Sequence, residues 1–97
     1  MSDNSKVVSL ASDVVLQVID GEALLLKLDD ETVFSLNDTG ARIAQLISEG
    51  QAVDAMVRAL SGEYGRSREN VERDVNSLVQ ELLLQGLVVV DRIGGTV

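Results

Sequence analysis

Ser35-Leu36-Asn37-Asp38-Thr39-Gly40-Ala41 is the stretch where the periodicity of the chain changes. On its amino side, Thr32-Val33-Phe34-Ser35-Leu36 alternates as a strand does, which places Phe34 and Leu36 inward and Val33 and Ser35 outward. On its carboxyl side, Ile43, Leu46 and Ile47 recur at helical spacing until Gly50. Between the two stand Asn37, Asp38 and Thr39, short polar residues whose side chains can accept from the first unpaired N–H groups of a helix. A strand hands over directly to a helix here, and the rest of the fold is read outward from this junction.

Upstream, Val14-Val15-Leu16-Gln17-Val18-Ile19 reads as a strand. Asp20-Gly21 follows as a tight hairpin turn that favours positive φ, and Glu22 to Leu28 is the return strand. The pattern puts Leu24, Leu26 and Leu28 on one face of it and makes Asp29-Asp30-Glu31 the next turn. Residues 1–13 are polar and aperiodic and are expected to form a flexible lead-in. Downstream, a second helix begins near Ala52 with Val53, Met56, Val57 and Leu60 on one face, and stops near Gly62 or Gly65. A third begins near Ser67, carries Val71, Val75, Leu78 and Leu82 on one stripe and ends at Gly86. Tyr64 is expected as a buried ring tying the second helix to the third. Leu87 to Val90 is a short closing strand, and residues 93–97 are tail. The fold class is therefore α+β: a three-stranded antiparallel sheet followed by a three-helix bundle laid out like a winged helix-turn-helix. The folded domain is expected over residues 14–92.

Composition narrows the function. A chain of 97 residues is one domain's worth, and 45% hydrophobic content supports a core, although Phe34 and Tyr64 are its aromatics. There is no Cys and no His, which removes disulfides, the usual zinc and copper ligands and any Ser-His or Cys-His nucleophile. No segment has the signature of a signal peptide or the ~20 apolar residues of a membrane span, so a cytoplasmic location away from membranes is expected. Sixteen acidic against eight basic residues give a net charge of −8, and neither half of the chain is basic. That balance disfavours nucleic acid, whose binding begins with a basic face. Arg66, Arg68 and Arg73 gather where a DNA-reading helix would start, yet Glu69, Glu72 and Asp74 interleave with them, and solvated helix charges account for them better. Asp29-Asp30-Glu31 lacks the spacing of a calcium loop, and no Gly-rich phosphate loop occurs. No cofactor or metal is called for, and no catalytic residue stands out.

The succession of strand, Asp20-Gly21, strand, Ser35-Leu36-Asn37-Asp38-Thr39-Gly40 and Ile43, then Leu60, Tyr64, Asp74-Val75, Leu82 and Gly86-Leu87, resembles the PqqD-like family over residues 14–90. These domains are the precursor-peptide recognition elements of ribosomally made, modified peptides. The resemblance implies a non-enzymatic domain that binds the leader segment of a precursor peptide and presents it to a modifying enzyme or leader protease of the same pathway. It also implies the mode, in which the leader adds as a strand to the free edge of the third strand and rests its side chains beside the third helix. Two departures mark the branch. Many relatives carry Trp where this chain has Ala44, and members serving pyrroloquinoline quinone synthesis end the third helix in Gly-Trp and lack the Gly of Thr39-Gly40. Gly86-Leu87 is closer to relatives serving other peptides, lasso peptides among them.

The residues themselves agree with that mode. The third strand of a meander is an edge unless something covers it, and Thr32, Val33, Phe34, Ser35 and Leu36 include neither Pro nor Lys, the usual edge blockers. Main-chain hydrogen bonds would supply affinity there, and apolar pockets selectivity. Alternate N–H groups of such a strand point to opposite sides, Thr32 and Phe34 to one and Val33 and Ser35 to the other, and the sequence leaves open which set is free. On the third helix Asp74, Ser77, Leu78 and Glu81 occupy adjoining turns and are placed on the cleft wall by their spacing. Asp74 could meet a basic leader group, pair with Arg73 or contact nearby backbone. The alternatives from other classes are an acidic winged-helix regulator contacting protein or DNA, and a subunit that only scaffolds an enzyme.

Overall fold

The computed structural model describes residues 6–92. Its order is β1 (Lys6–Leu10), β2 (Val14–Ile19), β3 (Glu22–Lys27), β4 (Thr32–Leu36), α1 (Asp38–Ser48), α2 (Val53–Tyr64), α3 (Arg68–Leu84) and β5 (Val88–Arg92). Strands β2, β3 and β4 form an antiparallel meander, and β1 pairs antiparallel with β5 in a separate two-stranded sheet. The α+β class and the strand-then-helix order are those expected, with one addition. Residues 6–10, expected within a flexible lead-in, form β1. Its partner lies almost a full chain length away, so only tertiary pairing stabilises it. Val8 is fully buried, and Lys6 pairs in register with Arg92. Residues 1–5, and the tail expected over 93–97, lie outside the described residues.

Local chemistry sets each boundary. Asp20 and Gly21 have φ of 51° and 80°, the left-handed pair that a two-residue hairpin matching strand twist requires. Asn37 caps α1, its Oδ1 accepting from the Gly40 N–H at 2.9 Å, and Ser67 caps α3 by accepting from the Asn70 N–H at 3.2 Å. Gly65, at φ 62°, ends α2 in the left-handed conformation that a side chain resists.

One aliphatic core joins the sheet to the helices. Leu25 of the central strand, Leu46 and Ile47 of α1, Met56, Val57 and Leu60 of α2, Val75, Val79 and Leu82 of α3, and Leu87 are all buried. In β4, Leu36 is buried and Phe34 packs half-buried against the core, as alternation requires. The central strand differs from expectation. Its buried residues are Ala23 and Leu25, whereas Leu24 and Leu26 lie on the outer face and Leu28 is 62% exposed. The turn spans residues 28–31, one residue longer than Asp29-Asp30-Glu31. This pairs Lys27 with Thr32, Leu25 with Phe34 and Ala23 with Leu36. One residue of register moves a strand's whole side-chain set to the other face. On α3, Val79 takes the buried position expected for Leu78, which sits half-buried at the edge of the core. Tyr64, expected buried, is 44% exposed at the last residue of α2.

Candidate functional site

Strand β4 is an edge of the meander, with β3 on one side and no strand on the other among the described residues. The register shows which of its backbone groups are free. The Leu28 N–H donates to the Asp13 carbonyl at 2.9 Å, towards β2. Groups two residues apart in a strand point the same way, so Leu26, Leu24 and Glu22 also face β2, in keeping with the Ile19–Glu22 pair that closes the tight hairpin. Lys27, Leu25 and Ala23 then face β4, opposite Thr32, Phe34 and Leu36. The outward N–H and C=O groups of β4 are therefore those of Val33 and Ser35, both of whose side chains are exposed.

The ends of this edge are held in place. At its start, the Thr32 N–H and hydroxyl both donate to Asp30 Oδ1, at 3.1 and 2.6 Å. The Thr32 hydroxyl bond is the main reason that the Asp30 carboxyl lies below its ordinary value. At its end, Leu36 is buried and leads into the Asn37 cap. An ideal Cβ on Gly40 would stand 3.1 Å from Leu36 Cδ2 and 3.2 Å from Leu36 Cβ, so glycine lets the first turn of α1 sit directly on the end of β4.

Beyond that corner a cleft of about 310 Å³ opens between the start of α1 and α3. Asn37, Thr39, Gly40 and Ile43 line one side, and Arg66, Asp74 and Leu78 the other. Asp74 pairs with Arg66 rather than Arg73, at 2.8 Å between Nη1 and Oδ2. This pair also borders a narrow crevice that continues towards Ile43, Leu60, Val71 and Val75. A second concavity of about 440 Å³ lies at the same end of the sheet, where Ser35, Leu36 and Asn37 meet the hairpin residues Ile19, Asp20 and Glu22.

The structure thus brings together the β4 residues Thr32 to Leu36 on one edge, and Asp74 and Leu78 on the cleft wall. Ser77 and Glu81 are exposed positions of α3 outside the lining of that cleft. Asn37, Thr39 and Arg66 line it without having been singled out for it. The capping pattern gave the first two a structural role, and Arg66 precedes its helix, where spacing says nothing about direction. Arg68 pairs with Asp54 of α2 at 2.8 Å, which ties down part of the basic cluster at the start of α3. Among the described residues no group of acidic side chains is arranged to hold a metal ion, and no helix is long and apolar enough to cross a membrane.

The chain is similar to a solved structure described as TbiB1 in complex with the TbiA(beta) leader peptide, at 35% identity and a TM-score of 0.79, over 82% of this chain and 93% of that one. It is also similar to a lasso peptide synthetase B1 complexed with the leader peptide, at 28% identity and a TM-score of 0.76, over 84% and 96%. No curated protein matches the sequence. Residues 22–88, more than half of the chain, match the family described as coenzyme PQQ synthesis protein D, and the chain belongs to that PqqD family.

Proposed function

We propose that this protein binds the leader segment of a ribosomally synthesised precursor peptide by strand addition to β4, and presents it in the cytoplasm to a modifying enzyme or leader protease of the same pathway. The observation that carries the reading is the open edge of β4, with Val33 and Ser35 directed outward next to the cleft of Asn37, Thr39, Asp74 and Leu78. The two leader-bound relatives, which share this fold across most of both chains, support it. The protein takes part as a recognition element without chemistry of its own, in keeping with a chain that has neither Cys nor His.

The backbone of an extended leader would exchange hydrogen bonds with Val33 and Ser35, which are indifferent to leader sequence. Alternate leader side chains would then fall towards the cleft, where Leu78 and Ile43 offer apolar surface and the Arg66–Asp74 pair offers both a donor and an acceptor. Ser77, beside Leu78 but exposed, and Glu81, about a turn beyond it, would meet the leader only where it runs along α3. Titrating the labelled protein with a cognate leader peptide should move the amide resonances of Thr32 to Leu36 and of Asp74 to Glu81. A leader bound as a helix, or shifts confined to the body of α1, would refute the proposal.

A further inference from the structure

A domain that presents a bound leader must hold the enzyme while β4 is occupied, and the structure has a second open edge on the opposite side of the same sheet. Strand β2 has β3 on one side and no strand on the other among the described residues. The parity that directs Val33 and Ser35 outward on β4 directs Val14, Leu16 and Val18 outward on β2. The Val14 N–H is taken by the Ala11 carbonyl at 3.0 Å, so the free window is Leu16 to Val18. The edge defences that a sequence carries are absent, because Val14-Val15-Leu16-Gln17-Val18-Ile19 contains no Pro, no Lys and no charge. Val18 is 43% exposed and Ile19 58%.

Beside that window runs a groove of about 320 Å³, as large as the cleft next to β4, between the hairpin and the helices. Val18 and the ring of Tyr64 give it apolar surface, and Asp20 and Asp38 border it with carboxylates. Neither carboxylate holds an ion pair among the described residues. The basic residue of the groove, Arg42, is held by Glu63, with Nη2 at 2.7 Å from Oε2 and Nε at 3.0 Å from Oε1. The groove therefore has unbalanced negative charge next to an aromatic face, which suits a Lys or Arg side chain. A second copy of this chain fits less well, since each copy carries a net charge of −8.

We propose that the Leu16–Val18 edge of β2 and the groove beside it form a second docking edge, which takes an exposed strand of the enzyme that acts on the precursor. That strand carries aliphatic side chains and a basic residue facing Asp20 and Asp38. Leader and enzyme would lie on opposite sides of a three-stranded sheet, four strand spacings or about 19 Å apart, and both could be bound at once. The proposal rests on the leader reading of β4 only for this division of labour.

The test uses the full-length protein, the purified enzyme and a fluorescent leader peptide. Val18→Lys places a charge of the wrong sign on the edge without a backbone demand, and Val18→Pro removes an outward donor. Both should weaken enzyme association about tenfold or more, while leader affinity and melting temperature stay near wild type. Enzyme association unchanged in a folded Val18→Lys protein would overturn the proposal. So would joint loss of leader and enzyme binding, which would assign the edge to the leader. A wild-type dimer that Val18→Lys dissociates would make a second copy the occupant, and would overturn it equally. If instead the leader ignores β4, as shown by an unaffected Val33→Pro protein, the leader reading fails on its own, because enzyme association measured without leader still reads the β2 edge.

Discussion

Proline scanning of β4 tests both the register and the binding mode, because neighbouring positions should fail in different ways. The Val33 N–H points away from β3, so Val33→Pro removes a donor that the folded domain does not use. Its side chain is 57% exposed, so little packing is lost, and edge strands tolerate proline. The melting temperature should hardly move. A main-chain hydrogen bond to the leader is worth about 0.5–1.5 kcal/mol net, so losing one should weaken binding by about twofold to tenfold, and more if the proline ring keeps the leader backbone away. Phe34→Pro removes the donor that binds Leu25 within the sheet and leaves a buried carbonyl without its partner, at about 1–3 kcal/mol. It also removes a half-buried ring, so Phe34→Ala is the control. Relative to that control, Phe34→Pro should lower the melting temperature by roughly 4–8 °C for each kcal/mol. Circular dichroism melts and fluorescence anisotropy with a labelled leader give the two readouts. A folded Val33→Pro protein that binds the leader as tightly as wild type would refute strand addition at this edge. Equal destabilisation by the two prolines would refute the register.

Packing, capping and a surface ion pair can each be tested by single substitutions. Leu25→Ala, at a fully buried site in the central strand, should cost about 2–5 kcal/mol in chemical denaturation, far more than Leu28→Ala in the exposed turn. Asn37→Ala should cost about 1 kcal/mol by leaving the Gly40 N–H without its cap, with Asn37→Asp close to neutral. Gly40→Ala should destabilise by up to about 2 kcal/mol despite the helix-propensity gain, since its Cβ would press on Leu36; equal or greater stability would show that the corner is not tightly packed. The Arg42 guanidinium holds the Glu63 carboxyl below its ordinary value, chiefly by direct hydrogen bonding, so this pair's contribution is present above that ordinary value and is lost as pH falls through the depressed one. Glu63→Gln should accordingly flatten the acid limb of a melting-temperature profile, and an unchanged limb would show that the pair does not contribute.

Much of this fold is legible because its junctions are chemically marked. Asp20-Gly21 marks the hairpin, Asn37 and Ser67 mark helix starts, and Gly65 and Gly86 lie just beyond helix ends. Elsewhere the local pattern is satisfied in more than one way, or its partner lies far along the chain. Ala23-Leu24-Leu25-Leu26 is apolar on both faces, so alternation cannot select one, and the face depends on whether the turn has three residues or four. The same four-residue turn brings Leu25 opposite Phe34, and the inward placement of Phe34 together with the turn length fixes the register. For β1 the missing information is non-local, since nothing near Val7 and Val8 announces a partner in Val88 to Arg92. Tyr64 is ambiguous because an aromatic at a helix end can turn inward or lie along the surface, and here it borders two concavities.

The candidate site was legible in its strand and only partly in its helix, and the reason is geometric. A strand edge is a property of sheet order, which the meander pattern determines, and its free donors follow once the register is known. A helix wall depends on rotation about the helix axis, and a small turn moves a residue between core, cleft and solvent. Leu78 is such a case: spacing allows it in the buried stripe, but Val79 takes that place and leaves Leu78 half-buried on the cleft side. The cleft therefore has apolar surface from a residue displaced from the core, and a charged pair from Asp74 and an arginine outside the helix. Leu78 is fixed by packing against the core, while Asp74 is oriented by its half-exposed pair with Arg66. With the capped corner at Leu36 and Asn37, they give edge and cleft a defined arrangement, and on the proposed mode of binding this lowers the ordering cost on the protein's side and leaves most of it to the leader.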